Sequence, residues 1–200
     1  DLNKHRLIIV DNNCCFEATI LLAYFVSNYN CETITNKENM GTAFAINQAW
    51  SKRKEGEHCI KYDDDMVVNC YNWVEQLEEV VATDDSYGQV ALKRKDLWEN
   101  TEHENEFYRS KLRQLPHKDG QRWVIVEEVN HCMGSIVLHS SKLIDKVGGL
   151  VQPKQYGLDD SLMSLRSQLA GFKNCFLPHI PITHLEDAPD RKSTRLNSSH

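Results

Sequence analysis

No stretch of this 200-residue chain holds the ~18–20 consecutive apolar residues of a membrane-spanning helix, so no transmembrane segment is expected. Its opening residues lack the charged-then-apolar pattern of a secretory signal. Glycine and proline are scarce, 9 and 5 residues, which argues against a collagenous or low-complexity chain. The seven cysteines (14, 15, 31, 59, 70, 132 and 175) contain no C-x-x-C pair. A zinc ribbon is thereby disfavoured, and an odd number of thiols suits reduced cysteines in a cytoplasmic setting. Positive charge is also short, with 23 Lys and Arg against 29 Asp and Glu and a net charge of -6. That balance argues against a sequence-independent nucleic-acid binder, and no nucleic-acid partner is expected.

An initiator methionine is missing, and a hydrophobic run opens already at Leu7. The last eleven residues, DRKSTRLNSSH, can be back-translated into a common sequencing-adapter oligonucleotide. Residues 190–200 are therefore read as a non-native tail, and residues 1–189 as one domain large enough for a sizeable core, cut at both ends.

Leu7–Val10 is a β-branched run stopped by the polar turn Asp11-Asn12-Asn13. Apolar residues at 18, 21, 22, 25 and 26 predict an amphipathic helix between Phe16 and Tyr29. A short strand at Glu32–Thr35, a polar loop and a helix from Thr42, as its cap, to Trp50 follow. A strand over His58–Tyr62 and a helix over Trp73–Val81 complete the first half. Gln89–Lys93 reads as another strand, and 94–120 as a long charged insert, a lid or a substrate-facing loop. Beyond it come strands at Trp123–Val129 and Ile136–Leu138, then a helix capped by Ser140 or Ser141. Leu158, Leu162, Leu165 and Leu169 fall at helical spacing and predict a core stripe. A last strand starts at Asn174. Alternating strands and helices predict an α/β sheet, whose ligands gather at the carboxyl ends of strands.

Two polar clusters sit at such ends. Asp63-Asp64-Asp65 puts three like charges after an apolar strand, an arrangement that a divalent cation compensates; hard Mg²⁺ or Mn²⁺ prefers such oxygen ligands. Asp11-Asn12-Asn13 is the other. A second acidic motif, Asp159-Asp160, opens a helix, where the positive end of the helix dipole favours an ionised carboxylate.

These pieces, from about Arg6 to Glu186, resemble the family 2 glycosyltransferases. Leu7-Ile8-Ile9-Val10-Asp11-Asn12-Asn13 looks like that family's second strand and nucleotide-contacting turn. The run Asn39-Met40-Gly41-Thr42-Ala43-Phe44-Ala45-Ile46-Asn47-Gln48-Ala49 is similar to its N-x-G-x-A-x-A-x-N-x-A segment. Asp63-Asp64-Asp65 matches its D-x-D motif, and Asp159-Asp160 with Arg166 and Gly171 its E-D…R…G segment. The resemblance implies a GT-A fold: an α/β, Rossmann-like mixed sheet flanked by helices, here with the first strand missing. It also implies an enzyme that moves a sugar from a nucleotide-diphosphate donor to a saccharide, lipid-linked or other hydroxyl acceptor, with inversion and with Mn²⁺ or Mg²⁺. Asp160 would be the base. Asp63, Asp65 and His184 would hold the metal, and Asp11, Asn12, Asn39, Gly41, Asn47 and Asp64 the nucleotide sugar. His131, Cys132, Gly134 and Asp159 would line the sugar or acceptor side.

The departures matter too. Asn12 stands where the family often has a second Asp, which leaves the nucleotide base open. With the family's first strand and nucleotide loop absent, a gap or makeshift pairing is expected between the strands ending at Val10 and Tyr62. The chain by itself is then expected to be inactive, with any membrane association carried by parts not present. Two other readings stay open: a sugar-phosphate nucleotidylyltransferase, whose Gly-rich phosphate loop is not visible, and a non-catalytic carbohydrate- or nucleotide-binding module.

Overall fold

The apolar runs assemble into two sheets rather than one. The computed structural model describes residues 4–95, 110–117, 119–133, 135–153 and 157–185. Its elements are β1 (Leu7–Asp11), α1 (Phe16–Asn28), β2 (Cys31–Thr35), α2 (Thr42–Trp50), β3 (Cys59–Tyr62), β4 (Met66–Val68) and α3 (Trp73–Thr83). They continue with β5 (Tyr87–Arg94), β6 (Ser110–Pro116), β7 (Trp123–Val129), β8 (Ile136–His139), α4 (Ser141–Val147), α5 (Asp159–Leu169) and β9 (Lys173–His184). A parallel pair, β1 and β2, forms the small sheet; the large one runs β3-β8-β5-β9-β7-β6, with β4 paired to β9.

Strand β5 is the centre of the large sheet. Its residues from Tyr87 to Leu92 are all buried, as expected of a strand covered on both faces. It pairs antiparallel with β8 and parallel with β9. On one face α3 packs Leu77, Val80 and Val81 against Val90, Leu92, Leu138 and Ile182. Alternate residues of β5 point the other way, where Gln89 meets α5 and Ala91 joins Val129, Cys132, Val137 and Phe176. Strand β9 slips register between Leu177 and Pro181 and continues to pair His184 with Met66 of β4. That extension carries His184 to the end of the sheet where β3 stops.

Among the described residues β1 and β3 lie in separate sheets with no strand pairing them, consistent with the break expected there. The two edges are tied at their starts by Arg6, which donates to the Lys52 carbonyl (2.9 Å) and to Glu57 (2.5 Å).

Four local expectations change. The cap of α2 is Gly41, in the left-handed region at φ 86°, and Thr42 is the first helical residue. Helix α1 forms but buries none of its residues, because the strand edge beside it is open. Part of the insert over 94–120 is β6, hairpinned to β7; residues 96–109 and 118 lie outside the described set. The leucines of α5 are not its buried stripe: Leu158, Leu165 and Leu169 are exposed and Leu162 is half-buried, while Asp159, Met163, Ser164 and Ser167 face in. Close packing explains the swap: a Cβ on Gly88 of β5 would come within 2.8 Å of the Ser167 hydroxyl oxygen and of Phe172 Cβ. Only a small side chain fits at position 167, while Met163 fills the space beside it. The Ser140 cap of α4 forms as expected, accepting from the Leu143 amide.

A buried polar chain fixes α5 to the sheet. The Cys132 amide donates to Ser164 Oγ (3.1 Å), and Ser164 Oγ donates to Gln89 Oε1 (2.9 Å). The Gln89 amide nitrogen then faces His139 Nε2 at 3.1 Å.

Candidate functional site

The ends of β1, β3 and β9 and the start of α5 place the acidic motifs together. In β3, side chains two apart share a face, so Lys61 lies beside Asp63. The buried Lys61 ammonium contacts both Asp63 oxygens, at 2.9 and 3.2 Å. Burial pushes the Asp63 carboxyl above the usual carboxylate range; Lys61 opposes this, while Asp65 and Asp159 add to it. The effect of Asp159 on Asp63 puts the two acidic motifs within electrostatic reach of each other.

Asp65 meets His184, Oδ2 to Nε2 3.1 Å, and its carbonyl accepts from the Leu185 amide at 2.8 Å. The turn Asp63-Asp64-Asp65 is thus pinned from both sides, since the Asp63 amide donates to the Ser135 carbonyl at 2.9 Å. Asp64 is exposed. Across the gap, the Cys14 thiol is pushed up by burial and by Asp11, and Asp64 contributes to the same shift. The end of β1 therefore borders the triplet.

That end is built from amides. Asp11 is 5% exposed, and its Oδ1 accepts from the Cys14 amide at 2.8 Å. Asn12 donates to Asn39 Oδ1 (3.0 Å) and the Gly41 carbonyl (3.4 Å) and accepts from Asn36 (2.9 Å) and the Met40 amide (3.1 Å). Asn39 in turn accepts from the Gly41 amide at 2.9 Å. So Asn12, Asn39 and Gly41 form one cluster. Asn47 lies elsewhere: its side chain both donates to and accepts from the Leu150 backbone, at 2.9 and 2.8 Å, tying α2 to the loop after α4.

At the start of α5, Asp159 is buried and Asp160 is half-buried, its Oδ1 accepting from the Ser161 amide at 2.7 Å. His131 Nε2 stands 3.5 Å from Asp160 Oδ2 and 3.3 Å from Ser161 Oγ. Cys132 does not line the cleft: it is fully buried, its thiol donating to the Cys175 carbonyl at 3.4 Å, and burial pushes that thiol far up. Gly134 lies outside the described residues. Lys61 and Ser161 were missed from sequence; the two-residue spacing of Lys61 from Asp63 on a strand was the available signal.

Among the described residues, no three His, Cys, Asp or Glu side chains stand ready-gathered to hold a metal ion. Carboxylate oxygens and an imidazole nitrogen are nonetheless the donor types that suit Mn²⁺, and Asp63, Asp65 and Asp159 leave the site short of positive charge.

The mixed sheet flanked by helices has the GT-A glycosyltransferase fold. Solved structures carry that assignment. The mannosyltransferase PcManGT from Pyrobaculum calidifontis, in complex with GDP-Man and Mn²⁺, superposes with a TM-score of 0.72, at 16% identity over 98% of this chain and 52% of that one. GalNAc-T7 with UDP, GalNAc and Mn²⁺ gives 0.65 at 15% identity, over 90% and 37%. Residues 1–349 of S. aureus TarS give 0.58 at 13% identity, over 92% and 52%. The chain thus spans about half of PcManGT and of TarS 1–349, and less of GalNAc-T7. No protein-family model and no curated protein matches it. None of the described helices is long and apolar enough to cross a membrane.

Proposed function

We propose that this chain is the donor-binding and catalytic part of a metal-dependent, inverting glycosyltransferase of the family 2 type. The observation that carries the reading is the convergence of Asp65, His184, Asp63 and Asp159 at one end of the sheet, with Asp160 opening the helix beside them.

The cluster of Asn12, Asn39 and Gly41, with Asp11, frames the nucleotide side, and the exposed Asp64 faces the same opening. Asp63, Asp65 and His184 are the residues that would hold Mn²⁺ or Mg²⁺. Such an ion, when bound, supplies Lewis-acid stabilisation for the negative charge on the departing diphosphate. Lys61 adds a fixed positive charge at the same carboxylate. Asp160 is the general base: it accepts the acceptor hydroxyl proton as the new bond to the anomeric carbon forms and the bond to the diphosphate breaks. A nucleotide-diphosphate sugar is the donor, and a saccharide, lipid-linked or other hydroxyl compound the acceptor.

Calorimetric titration of GDP-mannose and of UDP-GlcNAc into the chain with Mn²⁺ tests the site. Binding should require Mn²⁺, fall at least tenfold in Asp65→Asn and survive in Asp160→Asn, while transfer, measured in a full-length parent, is lost in both. Binding indifferent to Mn²⁺ and to Asp65→Asn would remove the reading.

A further inference from the structure

His131 stands where no part of the reaction as described so far needs an imidazole. Its ring is half-buried, and so is Asp160. The contacts fix a direction. Ser161 Oγ lies 3.4 Å from Asp160 Oδ1, to which it can only donate, and 3.3 Å from His131 Nε2; with the hydroxyl proton directed at Asp160, the same oxygen accepts from Nε2. Neutral His131 is then the Nε2–H tautomer, and Nε2 also lies 3.5 Å from Asp160 Oδ2. One imidazole thus addresses one carboxylate twice, directly and through Ser161. The loop that carries it is anchored by the buried Cys132, through Ser164 of α5. Among the described residues, Asp160 on α5 is the carboxylate paired with the ring, and the Cys132 thiol beside it in the loop is kept protonated by burial.

We infer that His131 is a positioning residue for Asp160, holding its carboxylate through the Ser161 relay and, when protonated, weakening it as a base. This rests on the proposed role of Asp160. A carboxylate beside an imidazole favours the imidazolium, and the imidazolium in turn favours the carboxylate. Below the imidazole pKa, Asp160 faces a full positive charge and is a poorer proton acceptor. Above it, only the orienting hydrogen bonds remain.

The pairing can be read without turnover. Long-range ¹H–¹⁵N spectra of the chain, titrated from pH 4.5 to 9, give the His131 pKa, with its signal assigned by its loss in His131→Gln. In Asp160→Asn that pKa should drop by about half a unit or more. Reciprocally, the Asp160 carboxyl carbon should titrate higher in His131→Gln than in the wild type, a measurement that stands if Asp160→Asn folds poorly. Unchanged titrations in both experiments overturn the inference. Turnover of a full-length parent then separates positioning from packing. His131→Ala should lose about tenfold or more in kcat with little change in donor KM. His131→Gln, whose amide can still donate to Ser161, should recover much of that loss. Equal loss in both variants also overturns the inference. Transfer by Asp160→Asn at the wild-type rate would instead sink the proposed function, while the two titrations still decide the pairing.

Discussion

His139 is fully buried, with its ring 4.7 Å from that of Trp50 and its Nε2 facing the Gln89 amide nitrogen. Because Gln89 Oε1 is held by Ser164, the amide nitrogen is the group that meets the ring, and His139 Nε2 must accept. Burial pushes this histidine down to about 3, with the nearby Lys61 adding to the shift. Unfolded, it would titrate near its ordinary value of about 6.5. Between those values the unfolded chain binds the extra proton, so stability from this residue is complete above pH ~6.5 and is lost as the pH falls toward 3. Urea unfolding between pH 4.5 and 7.5 should show a slope from this group approaching about 1.4 kcal/mol per pH unit. In His139→Gln that component should disappear; an identical slope in both proteins would refute the neutral, buried state. Apart from the family resemblance, which singles out His131 and His184, nothing in the sequence marks His139 as the buried histidine. Which histidine is buried, which faces Asp160 and which meets Asp65 depends on strand register and on the path of β9, neither of which periodicity encodes.

Helix α5 shows why an element can be legible while its orientation is not. Its boundaries and the acidic first turn follow from the leucine spacing and from Gly171, yet the leucines are not its buried stripe. The inner face meets β5 at Ser167, where Gly88 leaves room for no more than a serine, and buries Met163 beside it. Hydrophobic spacing identifies a stripe but cannot report a contact that selects for small, hydrogen-bonded side chains. Ser164 is the test of that account, because it links the Cys132 amide to Gln89. Ser164→Ala keeps the volume nearly constant but leaves a buried donor and a buried acceptor without their partner, at a cost of about 1–3 kcal/mol. Denaturant unfolding should show that loss, with His131 side-chain resonances moving as the loop loosens. A change below half a kcal/mol would mean that the network is not what holds α5. Helix α1 is the complementary case: its apolar spacing is real, but the surface it would cover is not among the described residues.

At the scale of the whole molecule, the alternation of strands and helices was legible and so was the break in the sheet, since both follow from the order of apolar runs and from the family resemblance. The short β4 and the β6 hairpin were not, being three residues long in one case and embedded in a charged insert in the other. The break divides the molecule energetically. The large sheet has β5 buried on both faces, whereas β1, β2 and α1 form a two-stranded unit with a helix that buries nothing. A two-stranded sheet has little stability of its own, so this unit depends on α2, on the Asn12 cluster and on Arg6 for its attachment. Such a unit opens below the global unfolding free energy. Native-state hydrogen exchange should therefore find the amides of β1, β2 and α1 opening at least about 2 kcal/mol more easily than those of β5, β8 and β9. Arg6→Ala should lower protection in β1 further and leave β5 untouched. The consequence is functional, because Asp11 and Asn12 ride on the weaker unit while Asp65 and His184 ride on the stronger one. If the proposed donor spans both, nucleotide sugar with Mn²⁺ should raise protection in β1 and the Asn12 turn more than in β9. Equal protection of the two sheets in the free chain would show that they unfold as one body, and the division drawn here would fail.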